Sequence, residues 1–256
     1  MVGIGLLGVP VGSFLNVVID RVPDRAALRG PREGEPCTPI EPLGVPLQPW
    51  LLRGGRPGGT RSTEARELPR RWLWVELLTS AVFALLAGRY GEERAVVPLL
   101  VLGASLVAVS VIDLRLLRIP DRVTFPTLAL SVPLVVVVSA SQDAPGAVRG
   151  ALVGAAAYFL LLLVPHLIYP RGMGFGDVKL ALVMGLYLGW MGWSPEHPVG
   201  GPLQMVLYGL MLGCALGVVF GVTSAVITRR RGEFPFGPAL ALGCLVVVLF
   251  APELRF

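Results

Sequence analysis

Charge is scarce in this sequence. Lys, Arg, Asp and Glu make up 15% of its 256 residues, and Lys179 is the only lysine. Soluble globular domains carry about a quarter, so an ordinary water-exposed surface is excluded. Histidine is represented twice and cysteine three times. An odd cysteine count, with Cys214 and Cys244 inside apolar runs where a thiol packs as a small hydrophobe, excludes a disulfide framework. The first residues lack a basic stretch leading to a small-residue cleavage site, so a removable signal peptide is not expected.

Apolar side chains fill the space that charge leaves. Hydrophobic residues amount to 54% and the mean hydropathy is +0.71, which reads as an integral membrane protein. The 32 glycines and 23 prolines fit that class, because membrane helices tolerate both where neighbouring helices re-satisfy the backbone. A net charge of +5 is compatible with nucleic-acid binding in principle. The positions of the charges follow membrane topology instead, and no nucleic-acid partner is expected.

A spanning helix needs about 20 mostly apolar residues. That window predicts an all-α polytopic protein with about eight transmembrane helices, inside 1–19, 72–87, 95–112, 123–140, 147–169, 178–193, 202–228 and 236–251. Cytoplasmic loops should hold the Lys and Arg, and 18 of the 22 basic residues fall in alternate connections. The four exceptions are Arg89, Arg94, Arg149 and Arg255. This predicts an outside N-terminus and a cytoplasmic first loop. The chain divides into a first helix (1–22), a Pro/Gly/Arg-rich cytoplasmic loop (23–71) and a seven-helix membrane domain (72–256). A loop of about 50 residues holds little core of its own, and its arginines suit anionic lipid heads. Trp50, Trp72, Trp74, Trp190 and Trp193 stand near expected span ends, as in an aromatic belt.

Ionisable residues at membrane depth are costly and are therefore functional candidates. Asp113 closes the third span in VSVIDLRLLRIPDR, and Asp177 opens the sixth in GMGFGDVKLALVMG. The topology brings both to the cytoplasmic side on different helices. Two carboxyls sharing a site can hydrolyse a peptide without a covalent intermediate, one taking a proton from water and the other polarising the scissile carbonyl. The dipole of a helix favours negative charge at its N-terminus, so the sequence assigns the ionised role to Asp177 and the proton to Asp113. Gly172, Gly174 and Gly176 remove side chains just before Asp177, which lets the backbone bend and an extended substrate approach.

These segments resemble those of the type IV prepilin peptidases. GVPVGSFLNVVIDRVP at 8–23 resembles the family's opening GSFLNVVIxRxP, and LWVELLT at 73–79 its YPxVELLT. VIDLRLLRIPDRVTFP at 111–126 is similar to its IDxxxxxLPD, GMGFGDVKLALVMGLYLGW at 172–190 to its GxGD segment, and PFGPALALG at 235–243 to its closing PFGPxLALG. The matches run in order from end to end. The resemblance implies eight membrane helices and an aspartyl endopeptidase that removes the basic leader from prepilin or pseudopilin precursors at the cytoplasmic face. It places the catalytic aspartates at Asp113 and Asp177. It also implies N-methylation of the new N-terminus with S-adenosylmethionine, an activity left open here, and no cofactor for proteolysis.

One departure matters. Many relatives carry two CxxC pairs in the first loop, a spacing that suits a tetrahedral zinc site. Here that loop retains Cys37 alone, with neither His166 nor His197 beside it in sequence, so zinc is not expected.

Other residues carry two readings each. Glu76 is a helix-packing carboxylate or a contact for a basic leader. Lys179 anchors its helix at the interface or tunes the dyad's charge. Asp121 reads as a helix cap outside the dyad, Ser13 and Asn16 as interhelical hydrogen-bonding groups, and His166 as an interfacial side chain. The rival from another class is a small transporter or channel coupling ions through the same aspartates. It requires charges near the bilayer midplane.

Overall fold

The computed structural model describes residues 2–21, 70–91, 93–170, 173–228 and 235–254. All regular structure among them is helical: α1 (Val2–Arg21), α2 (Arg70–Tyr90), α3 (Val96–Leu116), α4 (Asp121–Ser141), α5 (Gly146–Ile168), α6 (Phe175–Gly192), α7 (Gly200–Thr228), α8 (Gly237–Leu249) and α9 (Ala251–Leu254). The first eight correspond one for one with the eight expected spans. Six of them, α1 to α5 and α7, are long and apolar enough to cross a membrane. The other two are α6, whose first turn carries Asp177 and Lys179, and α8, only 13 residues long. Cys37, Trp50, Gly172 and the arginine-rich first loop lie outside the described residues.

The chain divides into two compact units, Met1–Gly88 and Arg89–Phe256. In the first, α1 and α2 approach closely because α1 presents glycine. An added Cβ on Gly8 would fall 2.4 Å from the Ser80 Cα, and one on Gly12 would fall 2.7 Å from the Glu76 Cα. The Ser13 hydroxyl donates to Glu76, and the Asn16 amide donates to the Trp72 carbonyl at 3.1 Å. These are interhelical hydrogen bonds of the kind expected for Ser13 and Asn16.

The second unit is arranged around α6. Fourteen of its 18 residues are buried, and it packs against α3, α4, α5, α7 and α8. Protein rather than lipid therefore surrounds most of this helix, and a less apolar composition is tolerated there. Two hydrogen bonds join it to α4: the Tyr187 hydroxyl donates to Ser131 Oγ at 2.8 Å and the Trp190 indole to Ser139 Oγ at 2.9 Å. Trp190 is thus an interior residue, and the Trp193 ring lies over Gly146 and Gly150. Neither belongs to an aromatic belt, because each finds an interhelical partner. Outward-facing side chains such as Leu152, Leu160, Met211 and Val218 remain exposed, as lipid contact requires.

The closest helix pair is α5 and α6. Gly150 and Gly154 face Gly185 and Gly189, and an added Cβ on Gly154 would fall 2.4 Å from the Gly185 carbonyl oxygen and 2.5 Å from the Gly189 Cα. Small residues four apart let two backbones touch, which is how membrane helices associate without a hydrophobic driving force. Gly154→Leu is expected to lower stability by about 1–3 kcal/mol or more through overpacking, read as a lower melting temperature in detergent. Gly88→Ala, at a helical site with nothing within 4 Å of the new Cβ, should leave it unchanged or slightly raised.

Candidate active site

Asp113 lies one turn before the end of α3 and is buried, although Leu114 and Arg115 after it are exposed. The helix stops just beyond it. Leu117 adopts the left-handed conformation (φ 51°, ψ 38°) and donates its N–H to the Asp113 carbonyl. An extended Pro120 then leads into α4. The Asp113 side chain is met from another helix: its Oδ2 accepts the backbone N–H of Gly237 at 3.0 Å. Gly237 is the first residue of α8, so this N–H is one that a helix start leaves without an internal acceptor. A carboxylate is the natural partner for it. A Cβ on Gly237 would fall 2.8 Å from Asp113 Oδ2, hence only glycine permits this approach.

Asp177 is the third residue of α6, and Gly174 is the N-cap. Its N–H bonds back to the Gly174 carbonyl at 3.1 Å. The side chain is buried, and Oδ1 has no hydrogen-bond partner. The supports of the two carboxyls share one neighbour, because Gly176 precedes Asp177 and Gly237 donates to Asp113. Ile119, in the loop after Asp113, fills the space between their supports. It lies 2.8 Å from an added Cβ on Gly176 and 3.3 Å from one on Gly237. Gly176 therefore serves close packing with Ile119, whereas Gly174 is exposed and keeps the open approach expected of both.

Lys179 faces away from the carboxyl pair. Its Nζ donates to Asp121 Oδ1 at 2.6 Å and Oδ2 at 2.8 Å, and it stands 4.9 Å from the Phe175 ring centroid and 5.7 Å from that of Phe125. Asp121 is the first residue of α4, and the N-cap position belongs to Pro120, without a side-chain cap. The capping role expected of Asp121 is replaced by an ion pair, because the lysine of a neighbouring helix reaches it. His166, near the end of α5, bonds through Nδ1 to the Met173 carbonyl at 2.9 Å and packs on Phe175, centroids 5.3 Å apart. Since a carbonyl only accepts, Nδ1 carries the proton. Glu76 belongs to the first unit. It is fully buried, and its Oε2, the Trp72 indole N–H and the Ser80 hydroxyl are all without partners. Four residues apart in turn, these three lie along one face of α2.

Among the described residues no group of three or more His, Cys, Asp or Glu could hold a metal ion, and Cys214 and Cys244 are free thiols. Gly237 and Ile119 stand inside the PFGPALALG and VIDLRLLRIPDRVTFP segments, but nothing local to either reveals its partner. Each acts through a contact with a residue far along the chain, although a Gly-Pro pair opening an apolar run does signal the start of α8.

Comparison with known proteins gives a consistent result. The model of the type IV leader peptidase family matches residues 100–222, and that of the bacterial peptidase A24 N-terminal domain matches residues 6–90. The prepilin leader peptidase/N-methyltransferase of Xanthomonas campestris is 30% identical, over 98% of this chain and 91% of its own length. The type 4 prepilin-like proteins leader peptide-processing enzyme of Escherichia coli is 30% identical over 94% and 90%. The prepilin leader peptidase/N-methyltransferase of Bacillus subtilis is 27% identical over 97% and 94%. No solved structure matches.

Proposed function

We propose, from the premise that the chain belongs to the type IV leader peptidase family, that it is a membrane aspartyl endopeptidase whose carboxyl pair is Asp113 and Asp177. The observation that carries this reading is a pair of buried carboxyls at the end of α3 and the start of α6, with unequal hydrogen bonding and with Gly237 and Gly176 beside them both packed on Ile119. Their place at helix ends, away from mid-span, speaks against the transporter alternative. The substrate is a prepilin or related precursor, as the relatives' names state of them.

In the proposed cycle one carboxylate removes a proton from water as the oxygen attacks the scissile carbonyl. The other carboxyl donates its proton to the carbonyl oxygen, and the tetrahedral species collapses as the leaving amine is protonated. Hydrogen bonding supports Asp113 as the ionised member, because the Gly237 N–H stabilises an anion there. It supports Asp177 as the holder of the proton, because an unpartnered buried oxygen is a poor seat for charge. This reverses the assignment from helix dipoles. A fixed N–H at hydrogen-bond distance outweighs a half-charge spread over a helix terminus.

The predominance of basic residues on one side of the spans supports a cytoplasmic active-site face in the bacterial inner membrane, with the N-terminus outside. Methylation of the new N-terminus is the second activity in the reading, because relatives' names include it. S-adenosylmethionine would supply the methyl group. The described residues offer no donor set that assigns it a site, and zinc has no part in the reading. Glu76, which lies in the region matched by the N-terminal family model, is proposed to be a helix-packing carboxylate rather than a contact for the basic leader, because it is fully buried and accepts from Ser13.

Asp113→Asn and Asp177→Asn should each reduce processing of a co-expressed prepilin by about a hundredfold or more, scored by the mobility shift on leader removal. Full processing by either variant would remove the mechanism. Gly237→Ala should cut kcat about tenfold or more by displacing the Asp113 carboxyl and leave the protein folded. An unchanged rate would deny the backbone N–H its role. The mass of the processed N-terminus decides the second activity: a shift of one methyl group supports it and an unmodified terminus ends it.

A further inference from the structure

The relation between the two carboxyls has to be held by something other than their own contacts. They sit on separate helices, one at an end and one at a beginning, where helices fray. Asp177 is preceded by Gly174 and Gly176, which provide little side-chain mass to fix the first turn of α6. On the other side, the segment after Asp113 passes through Leu117, a non-glycine residue at φ 51°, a conformation that a side chain disfavours. A geometry with soft ends and a strained loop needs a tie.

The Lys179–Asp121 pair has that form. Lys179 follows Asp177 by two residues, or about 200° around the helix, so it leaves the opposite side of the same turn. Asp121 follows Asp113 through the loop that holds Ile119. With both carboxylate oxygens within 2.8 Å of one ammonium, a continuous path runs from Asp113 along the loop to Asp121, across to Lys179 and about half a turn back along α6 to Asp177. Ile119 lies on it, against Gly176 and Gly237. Phe175 and Phe125 stand by the ammonium at 4.9 and 5.7 Å, distances at which a cation is attracted to a ring. Only 21% of the lysine side chain is exposed, against 52% for Asp121. Phe175 in turn packs on His166, which holds the Met173 carbonyl, so the approach to α6 is secured on its second side as well.

We propose that the Lys179–Asp121 ion pair is a positioning clasp that sets the separation of Asp113 and Asp177, and that Lys179 and Asp121 are positioning residues of the proteolytic site. The proposal rests on the reading of those aspartates as the working pair. Its energetics are distinctive. A partly exposed ion pair contributes little to stability, while misplacement of a reacting group by about 1 Å costs on the order of a hundredfold in rate. Loss of the clasp therefore shows in turnover far more than in melting.

The test uses the full-length protein in detergent, a prepilin substrate, and the variants Lys179→Met, Asp121→Asn, their double, Lys179→Arg and the exchanged pair Asp121→Lys/Lys179→Asp. Each neutral single variant should lose about tenfold to a hundredfold in kcat. KM should stay within about twofold, because the ground-state contacts with substrate are kept, and the melting temperature within about 4 °C. The double variant should be no slower than the slower single, since one path is broken once, and both Lys179→Arg and the exchanged pair should recover part of the loss. Multiplicative losses in the double would overturn the clasp. So would a rise in KM at constant kcat, which makes Lys179 a substrate contact, or a fall in kcat matched by unfolding. Asp113→Asn and Asp177→Asn run alongside separate the two claims. Inert aspartate variants with fully active Lys179→Met and Asp121→Asn would sink the clasp alone, and active aspartate variants would sink the pair itself.

Discussion

The contact on which the second unit depends is the backbone-to-backbone approach of α5 and α6 at Gly150, Gly154, Gly185 and Gly189. In a bilayer the driving force that gathers apolar helices in water is absent, so close van der Waals contact and buried hydrogen bonds have to do the gathering. Glycine on both helices allows the first. The Tyr187–Ser131 and Trp190–Ser139 bonds to α4 supply the second. Together they place α6 inside a ring of neighbours. A helix so enclosed can be short and can begin with an aspartate and a lysine, because neither has to face hydrocarbon.

From that enclosure the asymmetry of the proposed carboxyl pair follows. Asp113 comes to the site on the last turn of α3 and meets a helix start, whereas Asp177 is itself part of a helix start. The free N–H of Gly237 is committed to one carboxyl and not the other. Two chemically identical side chains thereby acquire different hydrogen-bonding environments, one with a backbone donor and one with an unpartnered oxygen. The one lysine in the chain is engaged elsewhere, with Asp121.

Much of this was legible in the sequence, and the part that was not has a common cause. Hydrophobic runs are local, so all eight main helices fall where apolar windows place them, and Asp113 and Asp177 come out at the ends of their helices. Helix starts were less exact: α6 begins at Phe175, three residues before the expected 178, because Gly174 can cap it in an extended conformation. Partners across the bundle left no local trace. Gly237 looks like an ordinary helix opening until Asp113 is found against it, Gly176 looks like room for substrate until Ile119 is found covering it, and Trp193 looks like a belt residue until Gly146 is found beneath its ring. Asp121 reads as a cap because its neighbours in sequence allow one; the lysine that claims it is on another helix.

The donor to Asp113 is a main-chain group, and this bears on how the site can vary under selection. No substitution deletes a backbone N–H except one to proline, and at Gly237 any side chain at all intrudes on the carboxyl it serves. A compound that occupied the carboxyls by borrowing this same N–H would be hard to escape by mutation, because each single-residue change at position 237 that disturbs the compound also disturbs the catalyst. Drug resistance would have to arise away from this contact, at exposed side chains such as Leu114.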